Sequence, residues 1–361
     1  MITQAEIARR LGLSQAAVAS VVGSYTGRRL LKPELEEKVR RLADQLGYRP
    51  HRQAQQLRGR KSGLIGILQM GERGVAFTTE RVVTLEDAVH EAGYDVLTCD
   101  VRLAGNVHLV CERMLDARVE GIMLAVPAED FPLVEIRRLR ELKIPLVTVS
   151  GRKLPGVPRV IPDVQTGMKD LTAHLIRSGR RRLALLTVTH NATRMDGFRD
   201  ALQAAGGRLA DNNAEIWPAG GKAAGRLVLQ PTPPPGQTHA IAAEAARKVL
   251  DWPDPPDAIL CSNDDWALAA LSVCGLAGVK VPVDMAVTGF DGSALGAYYH
   301  PPLTTVAQPI REMARQAMDL LGRQIRGEKT GGRGEDVKMP CRLVVRASCG
   351  TGLRTTESEG G

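Results

Sequence analysis

From Leu64 onward the chain alternates short apolar runs with stretches patterned for helix, and that alternation restricts it to an α/β architecture. The runs include LIGIL (64–68), GIMLAV (121–126), PLVTVS (145–150), LALLTV (183–188), AILCSN (258–263) and MAVTGFD (285–291). The pattern predicts about eleven strands, which suits two parallel sheets rather than one. Ligands of such sheets sit beyond the carboxyl ends of strands. Ser150, Asn263 and Asp291, which end three of the runs, are therefore the residues to inspect.

Charge separates the chain into two parts. Residues 1–62 hold 13 Lys/Arg against 5 Asp/Glu, whereas residues 63–361 balance at 35 against 35. A basic head on a neutral body is the electrostatic footprint of a polyanion bound at one end. The 43% hydrophobic and 24% charged content is that of a soluble globular protein. The six cysteines are scattered with no CxxC pair, so neither structural zinc nor a disulfide framework is expected. MITQAEIARR lacks an apolar signal core, and no run approaches membrane-spanning length. A cytoplasmic protein with no membrane partner is expected.

The head reads as a helix-turn-helix. Thr3 is placed to cap a first helix, with Glu6 as its reciprocal partner. Gly12 permits the tight turn, and Ser14 caps a second helix carrying Val18, Val21 and Val22. A third helix follows Pro33, with Leu35, Val39, Leu42 and Leu46 as its apolar stripe and Gly47 as its end. The bland alternative is a small helical bundle with a basic face. The Ala-x3-Gly-x-Ser-x3-Val spacing near the N-terminus argues for the helix-turn-helix, and so for DNA.

The stretches IARRLGLSQAAVASVV, EKVRRLADQLGYRP and HRQAQQLRGRKSGLIGIL resemble the LacI/GalR family of bacterial transcription regulators, and the resemblance extends to about residue 350. It implies a three-helix head at 1–50, a hinge helix at 51–62 and a body at 63–350 that is two-lobed and periplasmic-binding-protein-like. The first lobe is expected over about 63–160 plus 308–336, and the second over about 161–305 plus 337–350. A disordered tail is expected over 351–361.

The resemblance puts the family's base-reading positions on Gln15, Ala16 and Ser20. Gln15 can pair with adenine through its amide. Ala16 offers only apolar contact to a thymine methyl, and Ser20 is a short, undiscriminating donor. Both depart from the family's usual residues, so specificity shifts either to Tyr25, Arg28 and Arg29 in the following loop or to DNA deformation. In the hinge, AQQL resembles the family's hinge helix, flanked by His51 and containing Gln55, with Leu57 as the wedge between base pairs. The alternative for this segment is a flexible basic linker.

For the body, the resemblance places Arg194, Asn263 and Asp291 on the family's effector contacts. It places Trp217 where a member carries an indole against its sugar, and Gln308 at a common polar contact. Phe77 is expected to line the cleft, and Ser150 stands where members often carry an acid. These residue types suit a polyol. Each also has a structural reading: an Arg194–Asp291 ion pair, a core Trp217, or Asn263 as a helix cap. The segment 218–237, rich in glycine and proline, predicts an exposed loop near the cleft mouth.

The expectation is thus a ligand-controlled, sequence-specific DNA-binding repressor. Its expected partners are a sugar-like effector and a second copy of the chain in a homodimer, bound to a pseudo-palindromic operator on double-stranded DNA. No cofactor, metal or catalytic residue is expected, since neither a nucleophile–base pair nor a GxGxxG is present. The alternative is a solute-binding sensor whose head has degenerate specificity.

Overall fold

The computed structural model describes residues 2–22, 31–48, 62–70, 76–101, 106–125, 131–149, 151, 153–189, 191–210, 217, 222–234, 236–328 and 336–350. Two compact units result, Met1–Ser62 and Gly63–Gly361.

In the first unit, α1 (Gln4–Leu11), α2 (Gln15–Val22) and α3 (Pro33–Gln45) enclose Ile7, Ala8, Val18, Val39 and Ala43. Thr3 Oγ1 accepts from Glu6 N at 3.3 Å, and Ser14 Oγ accepts from Ala17 N at 3.1 Å. Gly12, at φ +64°, makes the left-handed turn that lets α2 leave α1 sharply. The Glu6 carboxylate does not return the capping bond. It turns to Arg9 and to Arg10 Nε, the latter at 2.9 Å, because two cations one turn onward attract it more strongly than a backbone amide. Leu42 and Leu46 stay half-buried while Ala43 is enclosed, since three short helices cannot cover a whole stripe.

The body contains two parallel sheets. The first, in the order β12-β5-β4-β3-β1-β2, comprises β1 (Leu64–Gln69), β2 (Asp95–Asp100), β3 (Gly121–Ala125), β4 (Leu146–Val149), β5 (Arg159–Asp163) and β12 (Asp336–Pro340). Its helices are α4 (Ala76–Glu91), α5 (Val107–Asp116), α6 (Leu133–Glu141) and α11 (Ile310–Ile325). Side chains alternate across β1: Ile65 and Ile67 pack with Met313, Ala317 and Leu321 of α11, while Leu68 packs with Val110 and Met114 of α5.

The second sheet, in the order β10-β9-β6-β8-β7, comprises β6 (Arg182–Val188), β7 (Arg208–Leu209), β8 (Ala224–Gln230), β9 (Ala258–Cys261) and β10 (Ala286–Thr288). It is flanked by α7 (Val164–Arg177), α8 (Ala192–Ala204), α9 (Thr238–Leu250) and α10 (Asp264–Leu276). A short antiparallel ribbon pairs β11 (Thr305–Ala307) with β13 (Arg342–Val344). Among the described residues, the chain passes between the lobes after β5, after β11 and between β12 and β13.

Two expectations change. The span 218–237 is not one loop, because β8 occupies Ala224–Gln230 and pairs with β6 over its full length. Its Leu227 and Val228 face opposite core clusters, so the strand is anchored on both sides. The segment 337–350 does not belong wholly to the second lobe. β12 is the edge strand of the first sheet, where Arg159 and Lys153 hold Asp336 at 3.1 and 3.2 Å.

Candidate functional site

The carboxyl ends of β6, β9 and β10 converge on a cavity of about 260 Å³. Asn191 and Arg194 reach it from the first turn of α8, Asn263 from the end of β9 and Asp291 from the loop after β10. Phe77 of α4 lines it from the first lobe, and Pro233 from the loop after β8.

Asp291 organises the polar side of the cavity. Arg194 Nη2 lies 3.4 Å from its Oδ1, and Gln308 Nε2 donates to the same oxygen at 2.7 Å. The Arg194 guanidinium also covers the Phe290 ring, 4.5 Å from the centroid. Arg194 Nε is a buried donor with no acceptor among the described residues. Burial pushes the Asp291 carboxyl up to about 8, with Arg194 opposing that rise. The same desolvation lowers Arg194 from its ordinary value.

The backbone at Asp291 is strained, with φ at +118°. It is held there by Asp291 N donating to Val306 O at 2.8 Å and by Gln308 N donating to Asp291 O at 3.2 Å. Behind it, the buried Asp264 accepts from Ser293 N at 2.6 Å and from Thr305 Oγ1 at 2.5 Å. Burial raises the Asp264 carboxyl to about 6 despite these bonds. Gly289 leaves room for it, because a Cβ there would sit 2.1 Å from Asp264 Oδ1.

The structure brings four of the expected residues to this cavity, namely Phe77, Arg194, Asn263 and Asp291. Asn263 also caps α10, its Oδ1 accepting from Trp266 N at 2.8 Å, which leaves its NH₂ as the group it can offer. Gln308 touches Asp291 but lines a separate cavity of about 750 Å³ on the crossover segments. Ser150 lies outside the described residues.

Trp217 is not at the cavity. Its Nε1 donates to Asp254 O at 2.8 Å, and its ring packs 6.1 Å from that of Trp252. Asp254 pairs with Arg182, the first residue of β6, so Trp217 sits at the amino ends of the strands. Pro233, just past the carboxyl end of β8, and Trp266 of α10 are among the apolar residues that line the cavity instead.

Arg81 was not anticipated. It follows Phe77 by four residues and precedes the buried Leu85 by four, a cation on a core-facing stripe, which was the signal available. Its Nη2 donates to Ala125 O at 3.3 Å, and the charge of Asp291 acts on it from the other lobe.

In the head, Gln15 and Ala16 are exposed at the start of α2. Ser20 Oγ donates to Ala17 O at 2.7 Å. Thr3 and Ser14 act as caps. Tyr25, Arg28, Arg29, His51, Gln55 and Leu57 lie outside the described residues.

A family model described as a periplasmic binding protein-like domain matches residues 172–349. The chain is 28% identical over 351 residues to the HTH-type transcriptional regulator DegA of Bacillus subtilis, covering 95% of this chain and 96% of that one. A solved complex of the transcriptional regulator CelR with cellobiose is 26% identical at a TM-score of 0.64, covering 96% of this chain and 100% of that one. The lac repressor dimer bound to operator and the anti-inducer ONPF shares the fold at a TM-score of 0.77 and 22% identity, covering 96% and 99%.

Proposed function

We propose that the chain is a LacI/GalR-type transcription regulator, a repressor whose hold on operator DNA is set by a small molecule bound between its lobes. The observation that carries the reading is the Arg194–Asp291–Gln308 cluster. It joins the polar wall of the cleft to a crossover segment, so a ligand on Asp291 acts where the lobes pivot. A ligand that prefers one lobe arrangement shifts the population toward it.

The effector class is sugar-like. Asp291 accepts from hydroxyls, the Arg194 Nε and the Asn263 NH₂ donate to ring and hydroxyl oxygens, and Phe77 and Pro233 supply apolar contact. CelR, complexed with cellobiose, supports this class. Its relatives are regulators, and an enzymatic role has no support.

The working form is a homodimer on a pseudo-palindromic site. Leu295 and Tyr298, respectively 53% and 86% exposed, stand just after Asp291 and offer an apolar face for the second copy. In the hinge, Leu57 acts as the wedge between base pairs, with His51 and Gln55 beside it. Tyr25, Arg28 and Arg29 contact DNA beside the recognition helix. Cytoplasmic location follows from the substrate, chromosomal DNA.

Two measurements on the purified full chain test the reading. Footprinting on the DNA upstream of its own gene is expected to protect a two-fold-related site. A thermal-shift screen against sugars and nucleosides is expected to find a stabilising ligand that also changes that protection. Absence of a protected site, or a ligand that leaves protection untouched, overturns the proposal.

A further inference from the structure

This inference rests on the repressor reading and concerns the base pairs that the head selects. In a helix-turn-helix, the residues opening the second helix meet base edges in the major groove. In α2 those residues, Gln15 and Ala16, are exposed, while Ala17 and Val18 are buried in the head's core. Of the two hydroxyls nearby, Ser20 spends its proton within the protein, and Ser14, which only accepts there, stands before α2 as its cap. Ser14 Oγ takes the Ala17 amide at 3.1 Å, and Ser20 Oγ gives its proton to Ala17 O at 2.7 Å. A serine whose proton is spent can only accept, so it cannot address the acceptor edge of guanine. Ala19, Val21 and Val22 have no polar side-chain atom, and α2 carries no charge anywhere along its length.

Helix α2 therefore presents one side chain that both donates and accepts, with a methyl beside it. The Gln15 amide can donate to N7 and accept from N6 of adenine at once. Against guanine, its carbonyl would face the O6 acceptor. The Ala16 methyl fits the C5-methyl of a neighbouring thymine. We infer that α2 selects two adjacent A·T pairs in each half-site, adenine at Gln15 and a thymine methyl at Ala16, and selects no G·C pair. Within α2 itself, the discrimination by hydrogen bonding resides in Gln15.

Selection by the full-length protein from duplexes randomised across both half-sites, at one fixed moderate salt concentration, tests this. The wild type is expected to enrich A·T pairs at two adjacent positions of each half-site, most strongly at the one read by Gln15. Gln15→Arg is expected to move that position to G·C, since arginine pairs with O6 and N7 of guanine. Gln15→Ala is expected to erase the preference there and to weaken binding roughly tenfold to a hundredfold. Ser20→Ala is expected to leave every positional preference intact. Gln15 is exposed, so each variant is expected to keep its helical content, which circular dichroism checks. A fixed operator whose bases ignore Gln15→Arg, or one relaxed by Ser20→Ala, overturns this inference alone. Failure of the wild type to enrich any sequence overturns the repressor reading as well.

Discussion

Gln308 Nε2 stands 2.7 Å from Asp291 Oδ1 and ties the segment that crosses into α11 to the carboxylate of the cleft. Gln308 N also donates to Asp291 O, so side chain and backbone make a two-point clasp. A ligand that draws on Asp291 must disturb this clasp. Gln308→Leu removes this competing side-chain bond and is expected to strengthen effector binding by about 0.5–1.5 kcal/mol, the range for a neutral hydrogen bond. Calorimetric titration with the ligand found by thermal shift measures it. Unchanged affinity would show that the clasp is not part of the binding cycle.

Asp291 is buried and Arg194 half-buried, and neither has another full counter-charge at contact distance among the described residues. Asp291→Leu strands the Arg194 guanidinium. A loss of about 1–3 kcal/mol in stability is expected, the cost of leaving a buried donor without its acceptor. Urea unfolding of the variant reads it directly, and a loss within experimental error would refute the pairing.

Trp217 separates a packing role from a binding role. At the amino ends of the strands it covers Arg226, whose guanidinium lies 5.0 Å from its ring and 4.7 Å from that of Trp252. Trp217→Ala is expected to cost about 3 kcal/mol of stability and to leave effector affinity unaltered. A selective loss of affinity in a folded Trp217→Ala variant would return the indole to the cleft.

The residues that could and could not be read from sequence differ in a physical way. β1, β3, β4, β6 and β9 are nearly pure apolar runs, because both faces of a parallel sheet are covered, and they declare themselves. β8, AGRLVLQ, opens on small residues and an arginine, and only pairing with β6 makes it a strand. Trp217, given to the cleft by the resemblance alone, lies instead at the amino ends of the strands. Asp291 and Asn263 were legible because they directly follow strands. The Asp264 anchor was not, since its partners Ser293 and Thr305 lie 29 and 41 residues away and only the fold unites them.

The Gly289 approach to Asp264 gives a steric test of that anchor. A Cβ at 2.1 Å from Oδ1 cannot be accommodated without moving the carboxylate off Ser293 N and Thr305 Oγ1. Gly289→Ala is expected to lower stability by about 2 kcal/mol or more. The melting temperature of the purified variant checks this, and one equal to wild type would mean that the loop relaxes freely.

Asp291 also makes stability depend on pH with a definite sign. Its carboxyl ionises near 3.8 in the unfolded chain and at about 8 in the native one. Between those values the native state holds a proton that the unfolded state has released, so stability falls as pH rises. Asp264, raised to about 6, acts in the same direction over the lower part of that window. Asp163 and Asp336 are lowered by their cations, and their contribution is lost only as pH falls toward and below the ordinary carboxylate range. Asp291→Asn removes the upper titration. Between pH 6 and 8 the variant is therefore expected to show a flatter decline in unfolding free energy than the wild type. Parallel urea titrations at pH 6, 7 and 8 decide the matter. Identical slopes for the two proteins would mean that Asp291 is already ionised in the native cleft at pH 6, with Arg194 outweighing the desolvation.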